Sequence, residues 1–142
     1  MANTTKVVAI LGVLVFLQAV SCAVAQHHTD PGASLAGVQA GTMTLDGYEQ
    51  GEEGGGPAAC DGIYYSDGDF LATLPTELYA GGSLCHKFIG IVSTQTRRSA
   101  RAMVVDVCDD CDNDELGTSA AVWNAMGLDT NAGVAPILWA VQ

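Results

Sequence analysis

The sequence predicts a small, mainly β domain, a barrel of five or six short strands with one short helix, stapled by disulfides. Three observations support this prediction. Short runs of β-branched and aromatic residues alternate with glycine- and aspartate-rich turns, one segment has helical periodicity, and four cysteines follow the N-terminal segment. The 142 residues suffice for one domain and leave no room for a second.

The first 25 residues have the features of a secretory signal peptide. Lys6 precedes an apolar run from Val7 to Leu17, and Ala23 and Ala25 form the small-residue pattern of a cleavage site. A signal anchor that stays in the bilayer is the rival interpretation, which the cleavage pattern disfavours. We therefore expect residues 1–25 to be removed and the mature chain to be secreted.

A flexible leader is predicted for residues 26–42, because this stretch is small, polar and without periodicity. It contains His27 and His28, which are assigned no metal, since two adjacent histidines in a loose tail are more often incidental. The barrel domain is predicted to occupy residues 43–142.

The strands are predicted from runs of β-forming residues between turn signals. The glycine-rich segment 51–57 precedes them and lacks the Lys-Ser/Thr of a phosphate loop, so it is interpreted as a tight surface loop. Pro136 in the last run implies an edge, a bulge or a strand start. The runs are IYY (63–65), FLATL (70–74), KFIGIVS (87–93), ARAMVVDV (100–107) and VAPILWAV (134–141).

One segment has the pattern of a helix. Ser119, Val122, Trp123 and Met126 fall on one helical face, and Thr118 or Ser119 can cap the N-terminus. Gly127 stands where a glycine commonly ends a helix. A single short helix near positions 119–126 is therefore expected.

The charge balance excludes several classes of partner. Sixteen acidic residues stand against five basic ones, a formal net charge of −11, and one of the five, Lys6, lies in the predicted signal peptide. An acidic surface repels nucleic acid phosphates and anionic lipid heads. We expect no nucleic acid partner and no membrane association after signal cleavage.

The four remaining cysteines are interpreted as two disulfides, and the sequence leaves all three pairings open. The segment CDDCDNDE, residues 108–115, invites other interpretations. A zinc site needs four soft ligands, the spacing of a calcium loop is absent, and the surrounding acids would raise the thiol pKa values of a redox dithiol. A solvated acidic turn is favoured, and no metal or cofactor is predicted.

Four motifs occur in order: GEEGGGPAACDG, YAGGSLCHK, VVDVCDDC and AVWNAMGLDTNAGVAPILW. From about Met43 to Trp139 they resemble the kiwellin family of plant ripening-related and defence proteins. The resemblance implies a six-stranded double-psi β-barrel, related to barwin and expansins, in a secreted, disulfide-bonded, non-enzymatic protein of the apoplast. Three features differ from the family pattern: Val107 replaces a usual acidic residue, only two residues separate the last two cysteines, and the cysteine-rich N-terminal extension of larger members is not found in this sequence.

Among the three disulfide pairings we favour Cys60 with Cys85 and Cys108 with Cys111. The first would close a loop of about 25 residues and contribute about 3 to 4 kcal/mol by chain-entropy reasoning. The second would form a local clip, and it is the weaker part of the prediction because strain opposes so short a ring.

Asp106 is the weak candidate for a catalytic residue, because barrels related to this one include glycan-cleaving enzymes that use an aspartate on a barrel strand. Glycoside hydrolysis usually needs two carboxylates at a defined separation, and the sequence shows no cleft rich in aromatic residues. We therefore predict that the protein is not an enzyme and that Asp106 organises a turn.

The function predicted is that of a protein-binding module, active against secreted proteins such as pathogen enzymes and other microbial effectors. Function collects on loops, and the charged loops supply the partner-binding candidates Arg97, Arg98, Asp109 and Asp110. The alternative is a barrel of the expansin or endoglucanase type that binds or cleaves cell-wall polysaccharide. A monomer is expected.

Overall fold

A computed structural model describes residues 37–52 and 56–142 of the chain. The predicted signal peptide and most of the predicted leader lie outside the described residues. In the described part of the chain, no helix is long and apolar enough to span a bilayer.

Six strands form a closed barrel in the order β1-β5-β2-β4-β3-β6, with β6 pairing back onto β1. Two pairs, β1 with β5 and β2 with β4, are parallel, and the other four pairs are antiparallel. The strands are β1 (Gln39–Leu45), β2 (Leu71–Pro75), β3 (Phe88–Ser93), β4 (Ser99–Cys108), β5 (Glu115–Thr118) and β6 (Val134–Val141). Two short α-helices, α1 (Thr76–Tyr79) and α2 (Ala120–Ala125), and two 3-10 turns, Ala80–Gly82 and Thr130–Ala132, complete the fold.

Four of the predicted strands are confirmed, and β6 begins and ends at the predicted residues. The main helix, α2, is also confirmed, with Val122 and Trp123 buried on its inner face. Ser119 precedes α2 in an extended conformation, but its hydroxyl makes no cap bond and donates instead to the carbonyl of Asp69 at 2.6 Å. The single turn α1 was not predicted.

The predicted boundary of the leader is wrong, because β1 begins at Gln39. Residues 39–42 are small and polar, and their own pattern gives no strand signal. They are nevertheless paired along β6, and from Thr42 onward β1 also pairs with β5. Ladder hydrogen bonds from neighbouring strands thus extend β1 where the local sequence does not favour it.

Residues 63–65 were predicted as a strand and form a loop instead. Their backbone bonds go to loop residues: Tyr65 N donates to the carbonyl of Tyr48, and the Ile63 carbonyl accepts from Ala58 N. Conversely, β5 was not predicted, because Glu115 was assigned to the acidic turn that precedes it.

Pro136 lies within β6, at the point where β3 has ended. It pairs with Thr42 of β1, while its carbonyl faces the other side and accepts a 3.3 Å hydrogen bond from Thr94 N. The N and C=O of one strand residue point the same way, so the missing N–H of Pro136 removes no bond from the β1 ladder. On the side toward which its N–H would point, Pro136 therefore lies at a strand edge, where proline is tolerated.

The barrel interior holds the main hydrophobic core, in which Trp123, Met43 and Ile137 are essentially inaccessible to solvent. A second, smaller cluster lies outside the barrel wall and comprises Tyr48, Ala58, Leu71 and Val105. Because Tyr48 and Ala58 come from the long connection between β1 and β2, this second cluster fixes that connection against the outer face of β2 and β4.

Candidate binding site on the acidic face

A shallow pocket of about 260 Å³ lies where β1 ends and α2 begins. Three carboxylates and no basic side chain line it. Its walls are formed by Leu45, Asp46, Gly47, Glu52, Asp67 and Ala120. We call the carboxylates of Asp46, Glu49, Glu52 and Asp67 the acidic face.

Beside the pocket, three strands place Gly117, Thr73 and Asp106 in one row. Thr73 of β2 pairs with Gly117 of β5 on one side and with Asp106 of β4 on the other. A register shift between Ala72 and Thr73 admits one extra residue in β4, and this shift brings Asp106 into the row. A Cβ at Gly117 would lie 3.1 Å from Asp46 Oδ2 and 3.1 Å from Thr73 Cβ, so a glycine suits this close approach.

Asp46 is fixed by hydrogen bonds at the end of β1. Thr73 Oγ1 donates to Asp46 Oδ2 at 2.7 Å, and the Asp46 N–H donates to the carbonyl of Thr118 at 2.9 Å. Burial raises the pKa of Asp46, the bond from Thr73 opposes that shift, and the negative charges of Asp106 and Asp67 add to it. The environment of Asp46 therefore favours its neutral form more than water does.

Tyr48 lies beneath the same network and is buried. Its hydroxyl is 2.8 Å from Thr73 Oγ1, and its backbone N–H donates to Asp67 Oδ1 at 2.9 Å. Burial, followed by the charge of Asp46, holds the pKa of Tyr48 well above its ordinary value. The phenol therefore acts as a neutral hydrogen-bonding group.

Glu49, Glu52 and Asp67 bring carboxylate oxygens within 4.8 Å of one another. Backbone amides already bond to all three carboxylates: Glu52 Oε2 accepts from Glu49 N at 3.3 Å, Glu49 Oε2 accepts from Asp67 N at 3.3 Å, and Asp67 Oδ1 accepts from Tyr48 N at 2.9 Å. A hydrogen bond with Asp67 is the largest cause that raises the pKa of Glu52. The spacing would admit a cation, but the loops already use these oxygens, so we assign no metal here.

Asp106, the weak catalytic candidate, anchors a loop. Its Oδ1 accepts hydrogen bonds from Ala59 N at 3.0 Å and from Val107 N at 2.9 Å. The first bond ties the connection between β1 and β2 to the end of β4. Asp106 is half-buried and is not among the residues that line the pocket.

The four partner-binding candidates lie at two separate places. Arg97 and Arg98 belong to the exposed turn before β4, whereas Asp109 and Asp110 follow its last residue. The ten residues of β4 separate Arg98 from Asp109, about 33 Å of strand at the usual rise. Asp109 is bonded through Oδ1 to Thr76 Oγ1 at 3.1 Å. The basic and acidic candidates therefore do not form one surface.

The disulfides join Cys60 to Cys85 and Cys108 to Cys111, with Cα–Cα distances of 5.6 and 5.5 Å. This is the pairing that the sequence analysis favours. The first bond links the connection between β1 and β2 to the turn before β3, and the second closes the turn after β4.

A polar cluster of Asp61, Tyr65 and His86 flanks the first disulfide. Asp61 Oδ2 is 3.0 Å from His86 Nε2 and also accepts from the Tyr65 hydroxyl. The Tyr65 bond, then the His86 bond, lower the pKa of Asp61 against an opposing effect of burial. Burial and Asp61 raise the pKa of Tyr65 to about 12.

Comparison with known proteins identifies the family. The family model described as Kiwellin-1 matches residues 18–142. The chain belongs to the kiwellin family. It is 45% identical to putative ripening-related protein 6 of Oryza sativa subsp. japonica over 98% of both chains. It is 38% identical to kiwellin of Actinidia chinensis var. chinensis and 40% identical to ripening-related protein grip22 of Vitis vinifera, over 70% of this chain in both cases.

This kiwellin-family chain spans about half the length of those last two relatives, 52% of kiwellin and 50% of grip22. Solved structures show the same fold at lower identity. An expansin of Clavibacter michiganensis is similar at a TM-score of 0.61 and 23% identity, over 74% of this chain and 50% of that one. A Streptomyces papain inhibitor is similar at 0.57 and 22%, over 73% and 93%. At these identities the likeness establishes the fold alone.

Proposed function

We propose that this kiwellin-family protein is a secreted, non-enzymatic binding module whose acidic face contacts a basic patch on a partner protein. One observation carries the proposal: the carboxylates of the acidic face have no cationic partner within the described residues, where the only ion pair joins His86 and Asp61. Burial is the main cause that raises the pKa of Asp46, and the nearby charges of Asp106 and Asp67 add to that shift, so excess negative charge remains at this face. A Lys or Arg side chain of a partner would compensate it.

Secretion rests on the predicted signal peptide in residues 1–25, and the names of the relatives support a ripening-related context. We take a secreted microbial protein as the partner to test first. The two parallel strand pairs, β1 with β5 and β2 with β4, support assigning the barrel to the double-psi class.

The absence of catalysis is part of the proposal. One carboxylate oxygen of Asp106 accepts hydrogen bonds from two backbone amides, as expected of a residue that organises a loop. Asp46 is protonatable, but its Oδ2 is held by Thr73. Asp106 is not among the residues that line the pocket.

The alternative is a polysaccharide-binding barrel, and one observation favours it. The pocket lies beside Asp46, a carboxyl with a raised pKa, on a fold shared with an expansin. A point mutant of that expansin has been crystallised in complex with cellohexaose. A polysaccharide would be held by hydrogen bonds and stacking, with little dependence on ionic strength.

The test is a capture experiment with immobilised mature chain, offered secreted microbial proteins and, separately, insoluble cellulose and chitin. Three variants accompany the wild type: Glu49→Gln/Glu52→Gln on the acidic face, and Asp109→Asn/Asp110→Asn and Arg97→Glu/Arg98→Glu at the two sequence-predicted positions. The first two variants each remove two negative charges, so they differ only in where the charge is lost.

We expect the mature chain to capture a protein at low salt and to release it at 1 M salt, where the Debye screening length falls to about 3 Å. The Glu49→Gln/Glu52→Gln variant should bind that protein at least tenfold more weakly than the Asp109→Asn/Asp110→Asn variant does. The proposal would be refuted if the mature chain captured no protein and was retained on polysaccharide to the same extent at low and high salt. A loss confined to the Asp109/Asp110 or Arg97/Arg98 variant would move the contact surface to that turn.

A further inference from the structure

Positive charge is confined to one side of the barrel. The four basic residues other than Lys6 lie within residues 87–101, and no acidic residue occurs between Glu77 and Asp106 or after Asp129. These acid-free segments contain β3, β6 and the part of β4 that precedes Asp106. In the closed barrel β4 lies opposite β1 and β3 lies opposite β5, so this side lies across the barrel from the strand that ends at the acidic face. We call the outer side of β6, β3 and β4 the basic face.

The centre of the basic face is apolar. Ile89 and Ile91 are buried in the core, so the residues that alternate with them along β3 point outward. One of these, Val92, pairs with Leu138 of β6, and both side chains are 39% exposed. The face therefore offers apolar contact area on neighbouring strands.

Arg101 is held flat against this face. It pairs with Gly90 in the middle of β3, and its Cζ lies 3.9 Å from the centre of the Phe88 ring. Within the residues that the structure describes, the single ion pair joins His86 to Asp61, so the Arg101 guanidinium has no carboxylate partner there. Stacking on a ring leaves the N–H edge of a guanidinium able to donate two hydrogen bonds to one carboxylate. Arg101 is thus preorganised to bind an anion.

Gln142 adds a hydrogen-bonding group beside Arg101. A Cβ at Gly90 would lie 2.5 Å from Gln142 Nε2, so the side-chain amide of Gln142 covers Gly90. The backbone N–H of Gln142 donates to the Phe88 carbonyl at 2.9 Å, which fixes this residue to β3. A guanidinium, an amide and apolar side chains are therefore neighbours on adjacent strands, and together they match the carboxylate, the hydroxyls and the C–H groups of an acidic sugar.

The size of the basic face suits a narrow ligand. Its three strands span about 10 Å between the outer strand axes, and the six residues of β3 extend about 20 Å. A stable protein interface needs about 800 Å² from each partner, which is several times this area. Bases also recur along the strands, because Arg101 lies three strand positions, about 10 Å, from Arg98 and its partner Gly90 lies as far from Lys87. A linear polymer with repeated negative charges fits both features.

We propose that the basic face binds a single chain of an acidic polysaccharide, a polymer of uronic acid. Arg101 pairs with a sugar carboxylate, and Val92 and Leu138 pack against the sugar ring. This is a second site, separate from the acidic pocket, and its charged ligand differs from the neutral polysaccharide of the alternative function. The proposal does not depend on the proposed function.

The net negative charge of the protein does not prevent this binding. Screening, with a Debye length of about 8 Å at physiological ionic strength, weakens the repulsion from acids on the far side of the barrel. A nucleic acid duplex or a membrane is wider than the basic face and would meet those acids, whereas a single sugar chain would not. A chain bound here would also leave the acidic face free to contact a partner.

The test is an NMR titration of the mature chain with an oligogalacturonate of defined length in calcium-free buffer. The backbone amides of Gly90, Val92, Arg101 and Leu138 should shift, whereas those of segment 46–52 should not. The fully methyl-esterified oligomer has the same rings without the charges and should bind at least tenfold more weakly. Added salt should weaken binding of the charged oligomer.

Matched variants separate the place of a charge from its amount. Arg101→Gln should weaken binding at least tenfold, whereas Gln50→Glu, which changes the net charge by the same one unit beside the acidic face, should change it less than twofold. Leu138→Gln should also weaken binding, whereas Ile63→Gln makes the same change at another exposed residue and should not.

The absence of binding would overturn the proposal, as would equal affinity for the charged and the esterified oligomer. Equal losses in Arg101→Gln and Gln50→Glu, or shifts confined to segment 46–52, would also overturn it. Binding of an acidic protein through Arg101, without binding of the oligomer, would overturn it and assign the basic face to a protein.

Discussion

The hydroxyl of Thr73 donates a 2.7 Å hydrogen bond to the carboxylate of Asp46 and lies 2.8 Å from the hydroxyl of Tyr48. One buried threonine in β2 therefore joins the end of β1 to the loop that follows it. The contact fixes Asp46 in a place where burial and neighbouring negative charges disfavour its ionised form. The hydrogen bond from Thr73 thus stabilises the folded state, whereas ionisation of the Asp46 carboxyl destabilises it.

We predict that Asp46→Asn stabilises the protein at neutral pH. The pKa of Asp46 is raised above 3.8 in the folded state, so its contribution is fully present below that value and is lost as the pH rises through the raised pKa. An asparagine can still accept from Thr73 and carries no charge to desolvate. Urea unfolding at pH 7 should give a higher free energy of unfolding for the variant, with the difference narrowing toward pH 3. A variant less stable than the wild type at pH 7 would show that ionised Asp46 stabilises the fold.

The strands that the sequence predicts are those whose side chains alternate between the core and the outside. β6 is the clearest case, with Ala135, Ile137 and Trp139 buried and the residues between them mostly exposed. β5 has only four residues, one of them Gly117, and follows an acidic turn. Its strand conformation comes from pairing with β1 and β2, and this pairing cannot be predicted from the local sequence of β5.

The acidic face was not predicted, for a related reason. Asp46 and Asp67 are 21 positions apart, and they meet because the intervening connection packs on the outer face of the barrel through Tyr48 and Ala58. Asp106 stood out because related barrels include enzymes that use an aspartate on a barrel strand, yet its carboxylate accepts a hydrogen bond from a loop amide. The acidic residues can be identified from the sequence, but the barrel topology determines which of them lie close together.

The two disulfides should contribute unequally to stability. The first bond spans 25 residues and the second spans 3, so they differ in loop-closure entropy. Replacing Cys60 and Cys85 by alanine should lower the free energy of unfolding by about 3.5 kcal/mol, whereas replacing Cys108 and Cys111 should lower it by about 2 kcal/mol. Urea unfolding of the two double variants under non-reducing conditions checks this order. A larger loss for Cys108→Ala/Cys111→Ala would mean that the turn after β4 has a role beyond closing a short ring.

Asp106 should prove structural when it is replaced in two ways. Asp106→Ala leaves the N–H groups of Ala59 and Val107 without their acceptor and should cost about 1–3 kcal/mol, whereas Asp106→Asn keeps an acceptor oxygen and should cost less. Wild-type protein should release no reducing ends from cellulose, chitin or peptidoglycan. Release that disappears in Asp106→Asn while the fold persists would make Asp106 catalytic.

Arg97 and Arg98 are adjacent and exposed, but the structure gives them different roles. The guanidinium of Arg98 covers Gly127, where a Cβ would lie 2.9 Å from one of its nitrogens, and Gly127 has a φ of +68° just beyond α2. A cation near the C-terminus of a helix is favourable, whereas Arg97 is not among the atoms nearest to Gly127. We therefore expect Arg98→Ala to lower the free energy of unfolding by about 0.5–1 kcal/mol and Arg97→Ala to change it by less than about 0.5 kcal/mol.

Gly127→Ala tests the same contact from the other side. An alanine at this positive φ is strained by about 1 kcal/mol, and its Cβ also displaces the Arg98 guanidinium. Because both changes disrupt one contact, the combined Arg98→Ala/Gly127→Ala variant should lose less stability than the sum of the single losses, as measured by urea unfolding in a double-mutant cycle. Strict additivity would show that Arg98 does not act through Gly127, and Arg98 would then be as available to a partner as Arg97.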